Sequence, residues 1–422
     1  MQRDIDIAII GGGIAGLTAA LSLHAAGFHP MVYESVAVPA PLGVGINLLP
    51  HAVRELAELG LLDELRAIGF EIHDLNYLTA GGELVWHEPR GSKAGYNWPQ
   101  IAIHRGDLQM FLLAKVRERL GPQSVRLGHE LRSLEVDGPR PRAHLHDRES
   151  DSDLTITPDL LLGADGIHSQ VRRAFYPDEG SPLWNGITLW RSTAPIDAPM
   201  GGRAMIWAGT AAQKFVAYPI GPDPVTGAPR LNWICDLKVA EVDSPPPRDW
   251  NKLGDRADFL PRFANWRWNG VDVPAIVEAA GPIYEFPMID RDPLPQWTFG
   301  QATLLGDAAH PMYPIGSNGA TQSIIDARVL SWHLARASSI PAALAAYESD
   351  RREATARIVL MNRQKGPDQV LDLAAERLKA GGALASVLPH AERQEIADLY
   401  KKIAGFDPAT LNARPSFSVR PD

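Results

Sequence analysis

The sequence is almost without cysteine: Cys235 is its only one in 422 residues. A lone thiol cannot close an intramolecular disulfide. No Cys/His group has metal-ligand spacing either, so neither a disulfide scaffold nor a metal site is expected. A reducing cytoplasm suits such a chain. Basic runs are also missing, none being longer than Arg351–Arg352 or Lys401–Lys402. With 41 Lys and Arg against 50 Asp and Glu the formal net charge is −9, which repels a phosphate backbone and argues against nucleic acid as a partner. From Ile7 to Tyr33 there is no Asp, Glu, Lys or Arg at all. A signal peptide or membrane span would share that lack. However, Asp4 and Asp6 stand where a signal peptide carries positive charge, and Gly11, Gly12, Gly13 and Gly16 break the apolar run. A buried strand, turn and helix explains the stretch better, and no other segment is apolar enough to span a bilayer. The expectation is a soluble, cytoplasmic chain without internal repeats, of a length that calls for two or three domains.

What is present begins at that uncharged stretch. Residues Asp4 to Ile10 turn from alternating to wholly apolar, as a buried parallel strand does. Gly11-Gly12-Gly13-Ile14-Ala15-Gly16 follows, then apolar residues at helical spacing, a helix end at Gly27 and a second strand closing at Glu34. In a dinucleotide fingerprint each glycine has a task. Gly11 permits the tight turn, Gly13 lets backbone approach a pyrophosphate, and Gly16 lets helix pack on strand. The helix start, with Ile14 and Ala15, offers free N–H groups and a positive dipole end to phosphate. Glu34, 18 residues after Gly16, can bond both ribose hydroxyls, which favours FAD or NAD over NADP at this site.

Two later segments return to the same layer. Leu160–Gly163 is a strand running into Ala164-Asp165-Gly166. Residues 302–305 form another, running into Gly306-Asp307-Ala308-Ala309-His310, with Pro314-Ile315-Gly316-Ser317-Asn318-Gly319 and a long helix from Ala320 to about Arg336 behind it. Taken singly, Asp165 and Asp307 are as well explained by turn or cap chemistry. His310 and His168 read as structural, with no acid visibly paired to them.

The three motifs, in this order over some 300 residues, resemble the class A flavoprotein aromatic hydroxylases, the para-hydroxybenzoate hydroxylase-like family. The resemblance implies that the first fingerprint holds the ADP half of FAD. It places Asp165 and Gly166 near the pyrophosphate and the nicotinamide path, and Gly306 and Asp307 at the ribityl end. Gly43, Val44 and Gly45, in Pro41–Asn47, match the family's segment along the isoalloxazine. Arg105 matches its Arg-x-x-Leu contact to the FAD phosphate or ribose. Pro314, Gly316, Ser317, Asn318 and Gly319 match the loop and helix start beside the flavin ring, where glycines permit close backbone approach and N–H groups face negative charge. Segments 41–47, 104–110, 186–191, 288–297 and 306–326 narrow the likeness to phenazine-pathway monooxygenases. It covers most of residues 1–365.

The expected fold is α/β: a Rossmann-like FAD-binding domain with an inserted antiparallel sheet as substrate domain, and C-terminal helices. The expected FAD-binding parts are 1–74, 100–180 and 287–365. Alternating runs at 186–192, 203–208, 214–220 and 231–237, with a hairpin near 75–87, assign 75–99 and 181–286 to the sheet. Segment 366–422 is a helical extension, with a poorly ordered tail after Asp407. Ser244–Arg248 reads as a surface loop. Eight of the eleven Trp fall between Trp184 and Trp297, most of them packing residues. Trp190, Arg191, Tyr218 and residues 312–314 are the pocket candidates. Arg191 would pair with a substrate carboxylate or support the nicotinamide, unless it is a surface ion pair. Tyr218 would bond a substrate hydroxyl, unless it only packs in the sheet.

The chemistry implied by the resemblance is hydroxylation of a small aromatic or heteroaromatic ring, such as a carboxylated, phenazine-like one. It uses FAD, O2 and NADH or NADPH, through a flavin C4a-hydroperoxide. Pro314, Gly316, Tyr218 and Arg191 are the candidates nearest that chemistry. With one fingerprint only, the nicotinamide binds transiently, and no protein partner is called for. A flavoprotein oxidase or dehydrogenase on the same core is the alternative. The halogenase pattern Trp-x-Trp-x-Ile-Pro fails, because Trp266-Arg267-Trp268 is followed by Asn269-Gly270. A flavin-binding sensor would want an interaction module, and none is evident.

Overall fold

The computed structural model describes residues 5–239, 252–364 and 366–419. The expected surface loop Ser244–Arg248 lies outside them. Ile7–Ile10 is a wholly buried strand paired in parallel with Leu160–Gly163 on one side and Met31–Glu34 on the other. Ala302–Leu304 extends the parallel layer beyond Leu160–Gly163, and Val125–Leu127 extends it beyond Met31–Glu34. The helix Ile14–Ala25 carries no charged residue, because the sheet, the Arg105–Leu120 helix and the Gly319–Arg336 helix enclose it. Its sequence is accordingly apolar all round.

The second sheet has seven strands, in the order Tyr284–Asp290, Leu183–Ala194, Arg230–Lys238, Gln213–Ile220, Ala204–Thr210, Asp74–Leu78 and Leu84–Pro89. All its pairings are antiparallel except one: Asp74–Leu78 runs parallel to Ala204–Thr210. A long connection separates those two strands, so no hairpin forces them antiparallel. The sheet takes strand from as far as Asp290, a few residues past the boundary expected at 286. Gly45–Leu48 is also a strand, paired with Gln100–His104 in a small sheet between the two layers.

Period-two alternation gives the large sheet two unlike faces. Trp190, Phe215, Trp233 and Cys235 pack on one face against Phe259 and Phe263. Leu189, Trp207, Val216, Tyr218 and Ile234 lie on the other, where Val370, Leu371 and Ala374 of the C-terminal segment join the same core. That segment therefore joins the core of this face, with Gln369–Lys379 packed on the sheet.

The tail departs from expectation. Pro408–Ala413 is a helix, capped by the Asp407 carboxylate, which accepts from Thr410 N–H. Arg54 donates to the Leu411 and Arg414 carbonyls at 3.0 and 2.7 Å, and Arg414 pairs with the fully buried Glu55. Its polar sequence looked detachable because its partners lie more than 300 residues upstream. Among the described residues no helix is long and apolar enough to cross a membrane.

Truncation after Asp407 would expose the Leu411 pocket and remove one cation from buried Glu55. At about 3 kcal/mol or more, Tm should fall by about 3 °C or more for a chain this long. A melting curve indistinguishable from the full chain would show that the docked tail carries no stability.

Candidate active site

The parallel layer ends in the glycine-rich turn. Gly11 sits at φ +108, and a Cβ there would stand 2.5 Å from the Ala164 carbonyl. A Cβ on Gly16 would stand 2.0 Å from the Gly11 carbonyl, whereas one on Gly13 would meet nothing within 4 Å. Two of the glycines therefore serve packing, while Gly13 keeps open space bare. The helix that starts there has no side-chain cap and no acid in its first turn, so its N–H groups remain for a ligand. Gly13, Ile14 and Ala15 line one end of a single cleft. Glu34 closes the second strand. Its carboxylate accepts from Gly12 N–H at 2.6 Å and Val36 N–H at 2.8 Å, against the outside of the turn.

The two predicted carboxylates differ. Asp165 is engaged by the protein, accepting from the Ser169 hydroxyl at 2.5 Å and from Gln170 and Val171 N–H at 2.7 and 3.2 Å. Its side chain behaves as a helix-start ligand, and its neighbours Ala164 and Gly166 are what line the cleft. Asp307 lines the cleft and forms no hydrogen bond with its side chain, so it is available to hydroxyls. Arg105 likewise exposes its guanidinium to the cleft.

Behind Asp307 lies a buried cluster that sequence reading missed. Asp326, fully buried, accepts from Gly306 N–H at 3.0 Å, His310 Nε2 at 2.5 Å and Arg351 Nε at 2.7 Å. Burial alone would raise this carboxyl. The charges of His310 and Arg351 and their hydrogen bonds prevail and hold it at about 2. His310 is thus structural, as expected, but it does have an acid. Arg172, 1% exposed, donates to the Ala308 and Ala309 carbonyls and pairs with Glu179, fixing the same turn from the other side. Apart from Arg172 and Glu179, these partners lie 16 to 137 positions apart, and local pattern carries no sign of them.

Across the cleft, the sheet presents Arg191 and Tyr218. Both donate to the Gly45 carbonyl, at 2.9 and 2.7 Å. Burial lowers the Arg191 guanidinium and pushes the Tyr218 hydroxyl up to about 12 against the pull of Arg191. Neither the surface ion pair nor simple packing describes them: together they fix the strand Gly45–Leu48. Gly45 N–H meanwhile donates to Asn232 Oδ1 at 2.7 Å, and a Cβ on Gly45 would collide with Asn232. Gly43 and Val44 line a separate outer depression beside His104 rather than this cleft.

The 312–319 loop contributes Met312, Pro314, Ile315, Ser317 and Gly319 to the lining, and the helix behind it starts uncapped. Gly316 and Asn318 face away. A Cβ on Gly316 would fall 1.9 Å from the Tyr400 hydroxyl, and Asn318 donates to that hydroxyl at 2.8 Å. Gly316 is therefore small to admit Tyr400 of the C-terminal segment. Trp190, expected in the pocket, points to the opposite face and stacks on Phe259 at 5.1 Å. Trp207 lines the cleft instead, since one step along a strand changes the face.

Bare N–H groups at Gly13, a free acid at Asp307 and a free guanidinium at Arg105 fit a dinucleotide with a polyol arm, as FAD has. The chain belongs to the FAD-binding family of the flavoprotein aromatic hydroxylases, its FAD binding domain matching over residues 4–362. Among individual relatives it is 43% identical over 364 residues to phenazine 1,6-dicarboxylic acid hydroxylase PhzS of Lysobacter antibioticus, covering 85% of this chain and 89% of that one. It is 32% identical to 3-amino-4-hydroxybenzoate 2-monooxygenase of Streptomyces cremeus, covering 85% and 86%. The fold matches HpxO of Klebsiella pneumoniae, solved with FAD and uric acid, at a TM-score of 0.74 and 23% identity over 94% and 98% of the two chains.

Two outcomes follow. Asp307→Ala should weaken FAD binding about tenfold or more with the apoprotein Tm unchanged, whereas Asp165→Ala should lower Tm at a cost of about 1–2 kcal/mol. Equal losses of FAD affinity from both, at constant Tm, would defeat the distinction. Asp326→Asn leaves the buried Arg351 guanidinium without its acid and should cost about 3–5 kcal/mol near neutrality. Because the folded value lies below the unfolded one near 4, that stabilisation is present above about pH 4 and is lost as pH falls toward 2. The stability gap between wild type and variant, measured by denaturant unfolding, should close over that window.

Proposed function

We propose that the protein is an NAD(P)H:O2 monooxygenase that hydroxylates a carboxylated, phenazine-like aromatic ring. The observation that carries this reading is the lining of the cleft between Gly13 and the sheet. Its fingerprint end is Gly13–Ala15, and its opposite wall is a flat apolar sheet face of Leu189, Met205, Val216, Ile234 and Met288. A ring-sized, largely apolar wall facing a dinucleotide site suits a planar substrate held against a flavin. The likeness to a phenazine dicarboxylic acid hydroxylase supports the substrate class.

Bound FAD supplies the redox and oxygen-transfer chemistry. The chain's own residues do the rest. Residues Arg191 and Tyr218 hold the Gly45 carbonyl and so fix the strand that borders the ring. The uncapped helix start at Gly319 points N–H groups and a positive dipole end into the cleft, where they stabilise negative charge. The apolar wall excludes water and orients the ring. With one fingerprint, the reduced nicotinamide binds only in passing. The buried thiol of Cys235 agrees with a cytoplasmic location.

The test is NADH and NADPH oxidation by the yellow holoenzyme against phenazine carboxylates, hydroxybenzoates and quinoline acids, with isotopically labelled O2. Acceleration by one ring, with label in its product and little peroxide, is the expected result. Flavin reduction by a ring compound without NAD(P)H would replace this reading with an oxidase or dehydrogenase.

A further inference from the structure

Four residues along its strand from Tyr218, about 13 Å away, Lys214 lies on the same face of the sheet and lines the same cleft. It is a cross-strand neighbour of Asp236, with Lys214 Nζ 3.3 Å from Asp236 Oδ2, and it also hydrogen-bonds Asp368. The three side chains are 8%, 4% and 2% exposed. Asp368 lies six positions past the last residue of the family match at 362. It sits where the chain passes into the C-terminal segment, and Ala211 N–H holds Asp372 one helical turn on, at 2.9 Å.

This cluster is unfinished. Asp236 Oδ1 and Asp368 Oδ1 have no hydrogen-bonding partner, and neither does the indole N–H of Trp207 on the adjoining strand. Buried carboxylate oxygens are costly when unpaired. Two acids face one ammonium, so the cluster itself carries a local charge of about −1, which Arg191, bonded to the Gly45 carbonyl, offsets in part at Asp236 but not at Asp368. Burial raises both carboxyls, opposed by the charge of Lys214. Everything the cavity still offers at this end, apart from one indole N–H and the remaining ammonium proton, is an acceptor.

We propose that Lys214, Asp236 and Asp368 form the recognition end of the ring cavity. They take the substrate edge that bears a hydrogen-bond donor (a hydroxyl, an amino group or a ring N–H) and reject an anionic edge. The inference rests on the reading of the cleft as an aromatic-ring site and adds which ring it selects. A site that leaves buried acceptors waiting discriminates strongly against an analogue that cannot donate to them.

The experiment measures binding rather than turnover, by perturbation of the flavin spectrum of the holoenzyme. The probes are a hydroxyphenazine carboxylate, its methyl ether and phenazine 1,6-dicarboxylic acid. Wild type should bind the hydroxy compound about tenfold or more tightly than the methyl ether, with the dicarboxylic acid weaker still. In Asp368→Asn, which keeps the shape but loses the charge, the penalty on the dicarboxylic acid should shrink about tenfold. Equal wild-type affinity for the hydroxy compound and either of the others overturns the proposal. The wild-type series decides alone if the variant does not fold. A tenfold preference without NAD(P)H-dependent turnover would uphold this recognition end while removing the monooxygenase reading. Turnover without the preference would do the reverse.

Discussion

The structure depends on holding bare backbone open against a cleft. The walls that would meet a dinucleotide are built from Gly11–Gly16, Gly306–Asp307 and the 312–319 loop, segments with few side chains of their own to pack. Such turns do not hold themselves. The turn after Ala302–Leu304 and the strand at Gly45 are fixed from behind by buried polar groups. Asp326 gathers Gly306 N–H, His310 and Arg351. Arg172 grips the Ala308 and Ala309 carbonyls. Arg191 and Tyr218 share the Gly45 carbonyl. A buried charge is expensive unless its partners are complete, and here they converge on backbone atoms. Losing the backbone geometry would leave the charges unsatisfied, so the two conditions enforce each other.

The same arrangement explains what the sequence revealed. Periodicity, glycine spacing and the order of three strand-turn motifs are local, and the parallel layer, the first helix and the large sheet were legible from them. The free acid of the pair was not. Asp165 and Asp307 occupy similar turns, and only the presence of Ser169 and two N–H groups around Asp165 tells them apart. Parity misled at Trp190: the strand was read correctly, but nothing local says which face turns inward, so Trp207 was passed over. Gly316 was read as room for a ring, when the room is filled by Tyr400 from 84 positions on. The signal that could have found the buried clusters is weak but real. Lys214, Val216 and Tyr218 alternate in phase, so a lysine in step with a pocket tyrosine belongs to the pocket face.

The C-terminal segment changes how the labour is divided. Residues within the family match supply the cofactor side, where little variation is tolerable because backbone approaches the ligand. The segment beyond it supplies Tyr400 behind the loop, Asp368 in the cavity, and Val370 and Leu371 in the sheet core. Packing onto the sheet places an acid beside Lys214 in the cleft, without disturbing the strands that fix Gly45. Selectivity can therefore shift through this segment while the redox half stays constant.

Lys214 also answers an electrostatic difficulty. A cleft that must stabilise negative charge near the Gly319 helix start should not hold unpaired acids nearby. The acids here both face the Lys214 ammonium, although Gly366–Asp368 packs close to Ile315–Ser317 of the loop. In a dry site a charge at contact counts for far more than one at a distance, so the ammonium between the acids offsets much of their field at the loop. Acidic recognition groups and an anion-stabilising helix start can thus share one cavity, provided the ammonium stays between the acids.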